Sequence, residues 1–549
     1  MFHLLLFGLI LYAQSGQPAT TPKAPQPIEV SDRESWQHFP PGQDLFLRIK
    51  ADNVFYENIP VDTTVDAQGN VVSAKASREQ PSRVKFPDGI FDQAEALVKD
   101  LHFTPFERNG HAVPAKFQAY VRLLPPELKP AKHVPFPRVK DWNTLKIKLD
   151  RTGCFGTCPS YHVEVHGDGT VLFEGGSYVV FTGHHRGSVP VDNVLELVKL
   201  FEKADYFSLA DKYQAPITDN PSYTTSIEFD GAHKQVVDYV GLQVGMPMAV
   251  SDLEDAIDRL SDSARWTKGN ENTLASLQAE HWNFKSKAAA DTLARVAAGS
   301  NAGLVRDLVL AGVLLNGKDT DRYAGDSPLE AAAAGGESAM LSTLLNAGAA
   351  ADPARLARAT VKAAQSGKVE ALHLLLEGGA NIGARDERGR TVLMGAAASG
   401  SPEMVKEVLK YHPNINAAAN PAPPVCTEEM KQSDNCPEFE SNDGRTALME
   451  AVSFDDPQPA REGIDRVEVV HLLLAAGADV NARDKAGNTA LILCRDNPQQ
   501  ALLLLQAGAD PNARNREGTT ALSNTYDDEI KELLLKHGAV EKPETEEDI

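Results

Sequence analysis

The sequence predicts a multidomain protein in which two small α+β domains precede an all-α solenoid of about seven helix-turn-helix repeats. Between Leu308 and Gly538, a leucine-rich helix end followed by a Gly-Ala type turn recurs, usually every 30 to 36 residues. A fixed period of this size is typical of repeat architectures, because one repeat cannot bury its apolar face alone. Two proline-rich stretches interrupt the chain upstream. At 549 residues the chain is also too long for a single core.

The N-terminus has the pattern of an exported protein. Residues 1–15 contain a short apolar run, Leu4 to Tyr12, followed by small residues suited to cleavage. The run is about half of the ~20 residues that a membrane-spanning helix needs. We therefore predict a signal peptide and a secreted, periplasmic protein without a transmembrane anchor after cleavage. The alternative is the frayed apolar N-terminus of a cytosolic protein. Residues 16–44 are predicted to be a Pro-rich linker.

Residues 45–124 are predicted to form the first α+β domain, with strands and one helix. The predicted strands are Val61 to Val65, Val71 to Ala74 and Ala115 to Leu123, and the predicted helix is Phe91 to Leu101. The stretch resembles the C-terminal domain of TonB-type energy transducers. The residues that carry this resemblance are Val65-Asp66, Gly69, Val71, Ala94, Phe103-Thr104-Pro105-Phe106 and Asn109-Gly110. It implies recognition of a peptide by addition of a strand to a sheet edge. The alternative is a generic αβ adaptor.

A second Pro-rich linker, residues 125–143, leads to a predicted α+β domain at residues 144–268. It begins with a strand in which Leu145, Ile147 and Leu149 alternate with polar residues. Its segment Cys154-Phe155-Gly156-Thr157-Cys158-Pro159 resembles an uncharacterised family of secreted bacterial domains. This resemblance implies no known activity.

The repeats occupy residues 285–540. The clearest copies run from Leu472 to Asn481 and from Leu503 to Asn512, and a Gly-x-Thr-x-Leu segment follows each, at Gly487 and at Gly518. These residues resemble the ankyrin family. The resemblance implies that the chain binds other proteins and is not an enzyme. The sequence predicts unit turns near Gly312, Gly348, Gly379, Pro413, Gly477, Gly508 and Gly538. The first and third units lack a clear Thr-x-Leu start.

Two insertions interrupt the fifth unit, at Asn420 to Glu440 and at Asp455 to Arg466. The first could form a rigid projection or a tolerated solvated loop. An acidic tail, residues 541–549, is predicted to stay disordered.

Five cysteines suggest two disulfides in an exported chain. Cys154 and Cys158 flank a Gly-containing turn that can bring them within bonding distance, and Cys426 and Cys436 bracket the first insertion. Cys494 remains and is expected to be a buried thiol in a helix of the sixth unit.

Metal, redox and catalytic sites are weakly indicated. His162, Glu164 and His166 share one face of a predicted strand, but the two imidazoles would stand roughly 13 Å apart, too far for one ion. His184 and His185 would point to opposite faces of a strand. A redox or metal module in the middle domain remains an alternative. Motifs of hydrolases, P-loop proteins and zinc proteases are absent from the sequence, so no enzyme and no cofactor is predicted.

The turns that precede the repeated Gly-x-Thr-x-Leu segment, which we call fingers, carry a basic row. Arginine stands four residues before the glycine at Arg385, Arg483 and Arg514. The predicted partner-binding residues are Arg385, Arg388, Arg390, Arg445, Arg483, Lys485, Arg514 and Arg516. Such a row could steer an acidic partner. The alternative is a solvated face that Asp386 and Asp484 neutralise.

These observations predict a non-enzymatic scaffold of the bacterial envelope that binds an unidentified protein partner through the concave face of the array. The net charge of −22 argues against a general nucleic-acid binder. The second hypothesis assigns recognition to strand addition at the TonB-like domain, in a transport-coupled adaptor.

Overall fold

The structure is a computed structural model that describes residues 27–31, 35, 38–40, 45–50, 57–78, 86–108, 111–318, 325–420, 444–453 and 464–540. The predicted signal peptide, the acidic tail, Cys426 and Cys436 lie outside the described residues.

Strands predominate before residue 240 of the described chain, and helices predominate after it. The strands are β1 (Ile28–Glu29), β2 (Phe46–Arg48), β3 (Asn58–Val65), β4 (Val71–Ala76), β5 (Phe106–Arg108), β6 (His111–Val113), β7 (Ala115–Leu124), β8 (Lys146–Arg151), β9 (Tyr161–His166), β10 (Thr170–Gly175), β11 (Gly183–Ser188), β12 (Lys212–Gln214), β13 (Tyr223–Phe229) and β14 (Ala232–Tyr239). The first helices are α1 (Ile90–Lys99), α2 (Val191–Lys203), α3 (Met248–Ser261), α4 (Ala264–Thr267) and α5 (Thr273–Ala279).

The remaining helices of the described residues follow one another in seven consecutive pairs. They are α6 (Lys287–Ala298) with α7 (Ala302–Leu310), α8 (Pro328–Gly335) with α9 (Ser338–Asn346), α10 (Pro353–Gln365) with α11 (Val369–Glu377), α12 (Val392–Ser399) with α13 (Pro402–Leu409), α14 (Ala447–Val452) with α15 (Arg466–Ala475), α16 (Ala490–Leu493) with α17 (Pro498–Gln506), and α18 (Ala521–Asn524) with α19 (Asp528–Lys536).

The chain divides into two compact units. The first comprises residues 1–137, 201–224 and 234–254, and the second comprises residues 138–200, 225–233 and 255–549. In the first unit a sheet has the order β1-β7-β3-β4, and β2 also pairs with β7. Strand β3 is antiparallel to both of its neighbours, whereas β1 and β2 run parallel to β7. Strand β12 runs parallel to β14 in the same unit.

Helix α1 packs against the sheet of the first unit through one apolar stripe. Ile90, Ala94 and Val98 recur every fourth residue and are buried. The turn between β3 and β4 is closed by Asp66, whose Oδ1 accepts hydrogen bonds from the backbone N–H groups of Gln68 and Asn70. The strand-turn-strand pattern of the sequence is therefore present in the structure.

In the second unit β11, β10, β9 and β8 form an antiparallel series. Leu145, Ile147 and Leu149 are fully buried, as their alternation with polar residues predicts. The structure therefore confirms the apolar face of this strand.

The last five helix pairs of the second unit share one continuous core. A single cluster of buried side chains extends from Val361 to Ala539. Each stacked pair buries the apolar face of its neighbour, which explains the period of the leucines.

The Gly-Ala turns end the second helix of a pair by one repeated hydrogen-bond pattern. Gly477 adopts φ +92°, and the N–H of Ala478 donates to the carbonyl of Leu473. This is the Schellman arrangement, for which glycine is favoured because it tolerates positive φ. After α13 the residue with positive φ is His412, directly before the predicted turn residue Pro413.

Side-chain caps begin the first helix of each pair. The threonines of the Gly-x-Thr-x-Leu segments are the N-cap residues Thr391, Thr446, Thr489 and Thr520. In the three pairs that lack this threonine, Ser286 caps α6, Ser327 caps α8 and Asp352 caps α10. A serine or aspartate oxygen accepts the same orphan N–H groups, so the missing threonine is replaced without loss of the cap.

Candidate functional site

The fingers are tight hairpin turns built from one short sequence pattern. In the finger before α12, the N–H of Asp386 donates to the carbonyl of Arg390, and the N–H of Gly389 donates to the carbonyl of Asp386. The carboxylate of Asp386 also accepts the backbone N–H groups of Arg388 and Arg390. Gly389 has φ +69°, which a side chain would disfavour.

The three arginines of the basic row hydrogen-bond to backbone carbonyls. Arg385 Nη1 donates to the carbonyl of Gly389 at 2.6 Å and to that of Ala418 at 2.8 Å. Arg483 Nη1 donates to Gly487 at 2.9 Å and to Arg514 at 2.7 Å.

Arg514 Nη1 donates to the carbonyl of Gly518 at 3.1 Å. These guanidinium groups close their own fingers, and those of Arg385 and Arg483 also join the next finger. These arginines therefore use some of their N–H donors to hold the fingers together. Contact of the same arginines with a partner remains a prediction.

The other predicted finger residues differ in their surroundings. Arg390 forms an ion pair with Asp386 at 2.7 Å. Arg388 and Lys485 also interact with other groups of the protein. The side chain of Arg516 is exposed, and its backbone N–H donates a hydrogen bond to the carbonyl of Ala486 in the preceding finger. Arg445 is half-buried. The predicted partner-binding residues of the fingers therefore differ in their surroundings.

Charged groups between α8 and α12 compensate one another. Arg358 bridges Glu330 at 2.7 Å and Glu387 at 3.2 Å, and Lys362 lies 3.4 Å from Asp326. With Arg390 paired to Asp386, these cations have nearby carboxylates. A partner that binds these cations would have to displace their ion pairs.

A groove of about 300 Å³ lies among the last fingers and the ends of the first helices behind them. We call it the finger groove. Its lining residues are Arg445, Ser453, Asn488, Leu493, Arg495, Asn515, Glu517, Thr519 and Asn524. Two guanidinium groups and three carboxamides face one carboxylate in this set, so the lining is rich in hydrogen-bond donors.

Internal bonds hold the carboxamides of the finger groove in place. Asn515 Nδ2 donates to Asn488 Oδ1, and Asn488 Nδ2 donates to Asp484 Oδ2, both at 2.9 Å. Asn524 Nδ2 donates to the carbonyl of Ile492 at 2.8 Å. The groove is therefore pre-organised, which reduces the entropy lost when a ligand binds.

A carboxyl group that interacts with Arg445, one of the lining residues of the groove, has a raised pKa. Burial raises the pKa of Glu450 on α14, and the nearby Arg445 and Arg390 only partly oppose this effect.

An asparagine ladder joins successive pairs, and it was not predicted from the sequence. Asn481 Nδ2 donates to the carbonyl of Gly508 at 3.0 Å, and its Oδ1 accepts the N–H of Asp510 at 2.9 Å. Asn416 and Asn512 bond the following turn in the same way. Asparagine at the same position of successive units was the available signal.

The cysteines of the described residues behave as the sequence predicts. Cys154 and Cys158 form a disulfide with a Cα–Cα distance of 5.5 Å. Cys494 is a buried thiol, although it lies just after helix α16, as its C-cap, and not within it. Burial raises the pKa of this thiol to about 12, so it is protonated at neutral pH.

The histidines of the middle strands lie beside separate carboxylates. His162 Nδ1 lies 2.6 Å from Asp150, and His166 Nε2 lies 2.7 Å from Glu164. His184 is exposed and His185 is buried, which agrees with opposite faces of β11. Within the described ranges, no three His, Cys, Asp or Glu side chains are grouped to hold a metal ion.

One Ser-His-Asp group occurs in the first unit, but its geometry is not that of a catalytic triad. Asp205 and Ser208 both approach Nδ1 of His133, at 3.2 Å and 3.4 Å. A triad needs the two imidazole nitrogens to serve the serine and the carboxylate separately. This arrangement cannot relay a proton from Ser208 to Asp205.

The fold and the groove define a repeat protein with a donor-rich surface, and comparison with known families identifies the repeats. A family described as ankyrin repeats in three copies matches residues 360–484, and the single ankyrin repeat matches residues 486–516. Residues 360–516 are therefore ankyrin repeats.

The middle of the chain is similar to another family, a domain of unknown function designated DUF6438, over residues 145–261. No curated protein matched the chain. Ankyrin repeats indicate a role in protein–protein interaction and are typical of non-enzymatic proteins. None of the helices that the structure describes is long and apolar enough to cross a membrane.

Proposed function

We propose that the chain is a non-enzymatic scaffold that binds an acidic, extended segment of a partner protein in the finger groove, on the concave face of the array. The observation that carries this proposal is the composition of the groove. Arg445 and Arg495 face one carboxylate, Glu517, beside carboxamides that internal bonds hold in place. Such a surface suits side-chain carboxylates and backbone carbonyls of a peptide.

All seven helix pairs belong to this array in our proposal. The pairs on either side of residues 360–516 have the same caps and turns, with Ser286 and Thr520 as N-caps and Gly312 and Gly538 at positive φ. The shared chemistry supports one continuous solenoid in which terminal units are divergent.

A peptide-display experiment on the full chain tests the binding function. We expect enrichment of peptides that contain Asp and Glu, and an enriched peptide should bind with a strength that falls with salt. Arg495→Glu places a negative charge in the groove and should weaken binding by about tenfold or more, measured by fluorescence anisotropy. Arg306→Glu, an exposed arginine of α7, is the matched control and should change little.

Enriched peptides without acidic residues would contradict the proposal, and so would unchanged affinity in the Arg495→Glu protein. Arg495 lines the finger groove itself, whereas Arg385, Arg483 and Arg514 are not among its lining residues. Charge reversal at those three residues would remove bonds within and between fingers.

We also propose that the protein is exported to the periplasm. The Cys154–Cys158 disulfide supports this location, because such bonds persist in oxidising compartments. Periplasmic extraction followed by N-terminal sequencing should give a mature chain that begins after residue 15. Recovery only in the cytosol with Met1 retained would refute this location.

A second candidate function is peptide recognition by strand addition in the TonB-like region. It is favoured by β4, which has β3 as its only sheet neighbour among the described strands and leaves Val72 59% exposed. Val72→Glu should weaken a peptide that binds at this edge and leave a peptide of the finger groove unaffected. Equal effects on both peptides would argue against separate sites.

A further inference from the structure

A polar cleft lies beside strand β11, in the second unit and apart from the fingers. It encloses about 780 Å³ between the end of β11, the start of α2, and the segment from α3 to α5. Its charged lining residues are Arg186, Arg259, Asp262, Arg265 and Glu280. The volume is within the range of small-molecule sites in proteins.

The carboxylates of this cleft are already occupied. Glu280 Oε1 is 2.8 Å from His185 Nδ1, and its Oε2 accepts the backbone N–H of Arg186 at 3.0 Å. The carboxylate of Asp262 accepts hydrogen bonds from the carboxamide groups of Asn270, at 2.6 Å, and Asn272, at 3.1 Å. Because each carboxylate oxygen has a donor, neither acid is left to bind a cation.

A buried arginine forms the floor of the cleft. The Arg265 side chain is 6% exposed and pairs through Nε with Asp262 Oδ2 at 3.0 Å. Its Nη atoms reach only neutral oxygens, at 3.2 to 3.4 Å, on Ser188, Ser261 and Ser276. These bonds are longer than the usual ~2.7–2.9 Å of charge-assisted pairs, so this face of the guanidinium is weakly satisfied.

The other two arginines of the cleft have most of their donors available. The exposed side chain of Arg186 contacts no hydrogen-bonding partner among the described residues. Arg259 lies 3.4 Å from Glu196, and both side chains are more than half exposed, so this pair is weak. Donors therefore exceed acceptors around the cleft.

We propose that this cleft binds an oxyanion, the carboxylate or phosphate group of a small ligand or chain end, between Arg186, Arg259 and the floor provided by Arg265. The excess of N–H donors recognises the oxygens of the anion, and guanidinium groups match the planar geometry of a carboxylate. Gly187 keeps the floor open, because a Cβ atom there would lie 2.8 Å from Arg265 Nη1. The site is independent of partner binding in the finger groove.

Calorimetry on the full chain tests the site with defined probes at constant ionic strength. The probes are inorganic phosphate, citrate, and a short peptide with a free or an amidated C-terminus, each compared with chloride. We expect at least one oxyanion to bind and chloride not to bind. Arg186→Gln should weaken that probe about tenfold, and Arg186→Gln with Arg259→Gln should abolish its binding.

The matched control is Arg306→Gln, which removes an exposed arginine outside the cleft and should leave the affinity unchanged. Preference for phosphate, for citrate or for the free chain end identifies the source of the oxyanion, and each supports the site. Absence of binding by every probe would overturn the proposal. Retained affinity in the folded double variant, with folding checked by circular dichroism, would overturn it as well.

Discussion

The fingers of the array and the cleft beside β11 both carry arginines, but these arginines have different partners. Arg483 Nη1 donates to two backbone carbonyls, at 2.9 Å and 2.7 Å. Arg186 lines the cleft with its side chain exposed and without a hydrogen-bonding partner among the described residues. An arginine that holds its own fold has fewer donors for a ligand than one that faces solvent across a concave surface.

A row of charge in a sequence therefore does not locate a binding site. Arginine recurs in the fingers at a fixed distance from glycine because the guanidinium reaches the glycine carbonyl of its own turn. The same repetition would be seen if every copy bound a partner. Only the hydrogen-bond partners in the structure distinguish an arginine that stabilises its own turn from one that is available to bind a partner.

The largest effect that separates structural from available arginines is expected at the floor of the cleft. Arg265→Ala leaves the partly buried Asp262 without its cation and removes donors from the carbonyls of Ser188 and Ser261. Breaking a buried ion pair from one side costs about 3 kcal/mol. We expect a loss of that size in urea unfolding followed by tryptophan fluorescence, since Trp266 stacks against this guanidinium.

Arg186→Ala provides the control on the other side of the same cleft. Its side chain is exposed, so the free energy of unfolding should change by less than about 0.5 kcal/mol. Equal losses in the two variants would show that both arginines are structural, and the comparison would fail.

The asparagine ladder should give the next largest effect, in the array. Asn481→Ala removes the bond to the carbonyl of Gly508 and the bond from the N–H of Asp510. Two neutral hydrogen bonds contribute about 1–2 kcal/mol together. Urea unfolding followed by helical circular dichroism measures this loss. Gln506→Ala, at the exposed end of α17, is the matched control and should be neutral.

The repeats could be predicted from the sequence because each local rule is satisfied by residues close together in the chain. Leucine, glycine and threonine at fixed spacing specify the helix face, the Schellman turn and the N-cap. The replacement of the threonine by Ser286 and Asp352 was not predicted, although both are good capping residues. Positive φ at His412 was also not predicted, since the preference there is for glycine or asparagine.

The candidate sites were less predictable, because their groups come from distant parts of the chain. Glu280 bonds to His185 across 95 residues, and Arg265 bonds to Ser188 across 77. No periodicity places such residues together. In contrast, Cys154 and Cys158 are separated by four positions, and their pairing was predicted correctly.

A smaller effect is expected from a single finger arginine. Arg483→Ala removes bonds to Gly487 and Arg514 on an exposed surface, and we expect a loss of about 1 kcal/mol in the same unfolding experiment. Arg516→Ala is the matched control in the neighbouring finger, since its backbone N–H, which the substitution keeps, makes the bond to the preceding turn. A neutral Arg483→Ala protein would mean that this guanidinium is available for a partner after all.

The smallest change in stability concerns the carboxyl group of Glu450, which interacts with Arg445, and it depends on pH. Because burial raises the pKa of Glu450, the folded chain binds more protons than the unfolded chain between the ordinary glutamate pKa and the raised one. Stability contributed by this group therefore falls as pH rises through that window, and above it the charged form is a constant penalty. Glu450→Gln should accordingly be more stable than the parent chain at neutral pH, with a difference that disappears below about pH 4. Urea unfolding across this pH range measures the difference, and a Gln variant that is less stable at neutral pH would show that Arg390 and Arg445 need the carboxylate as a partner.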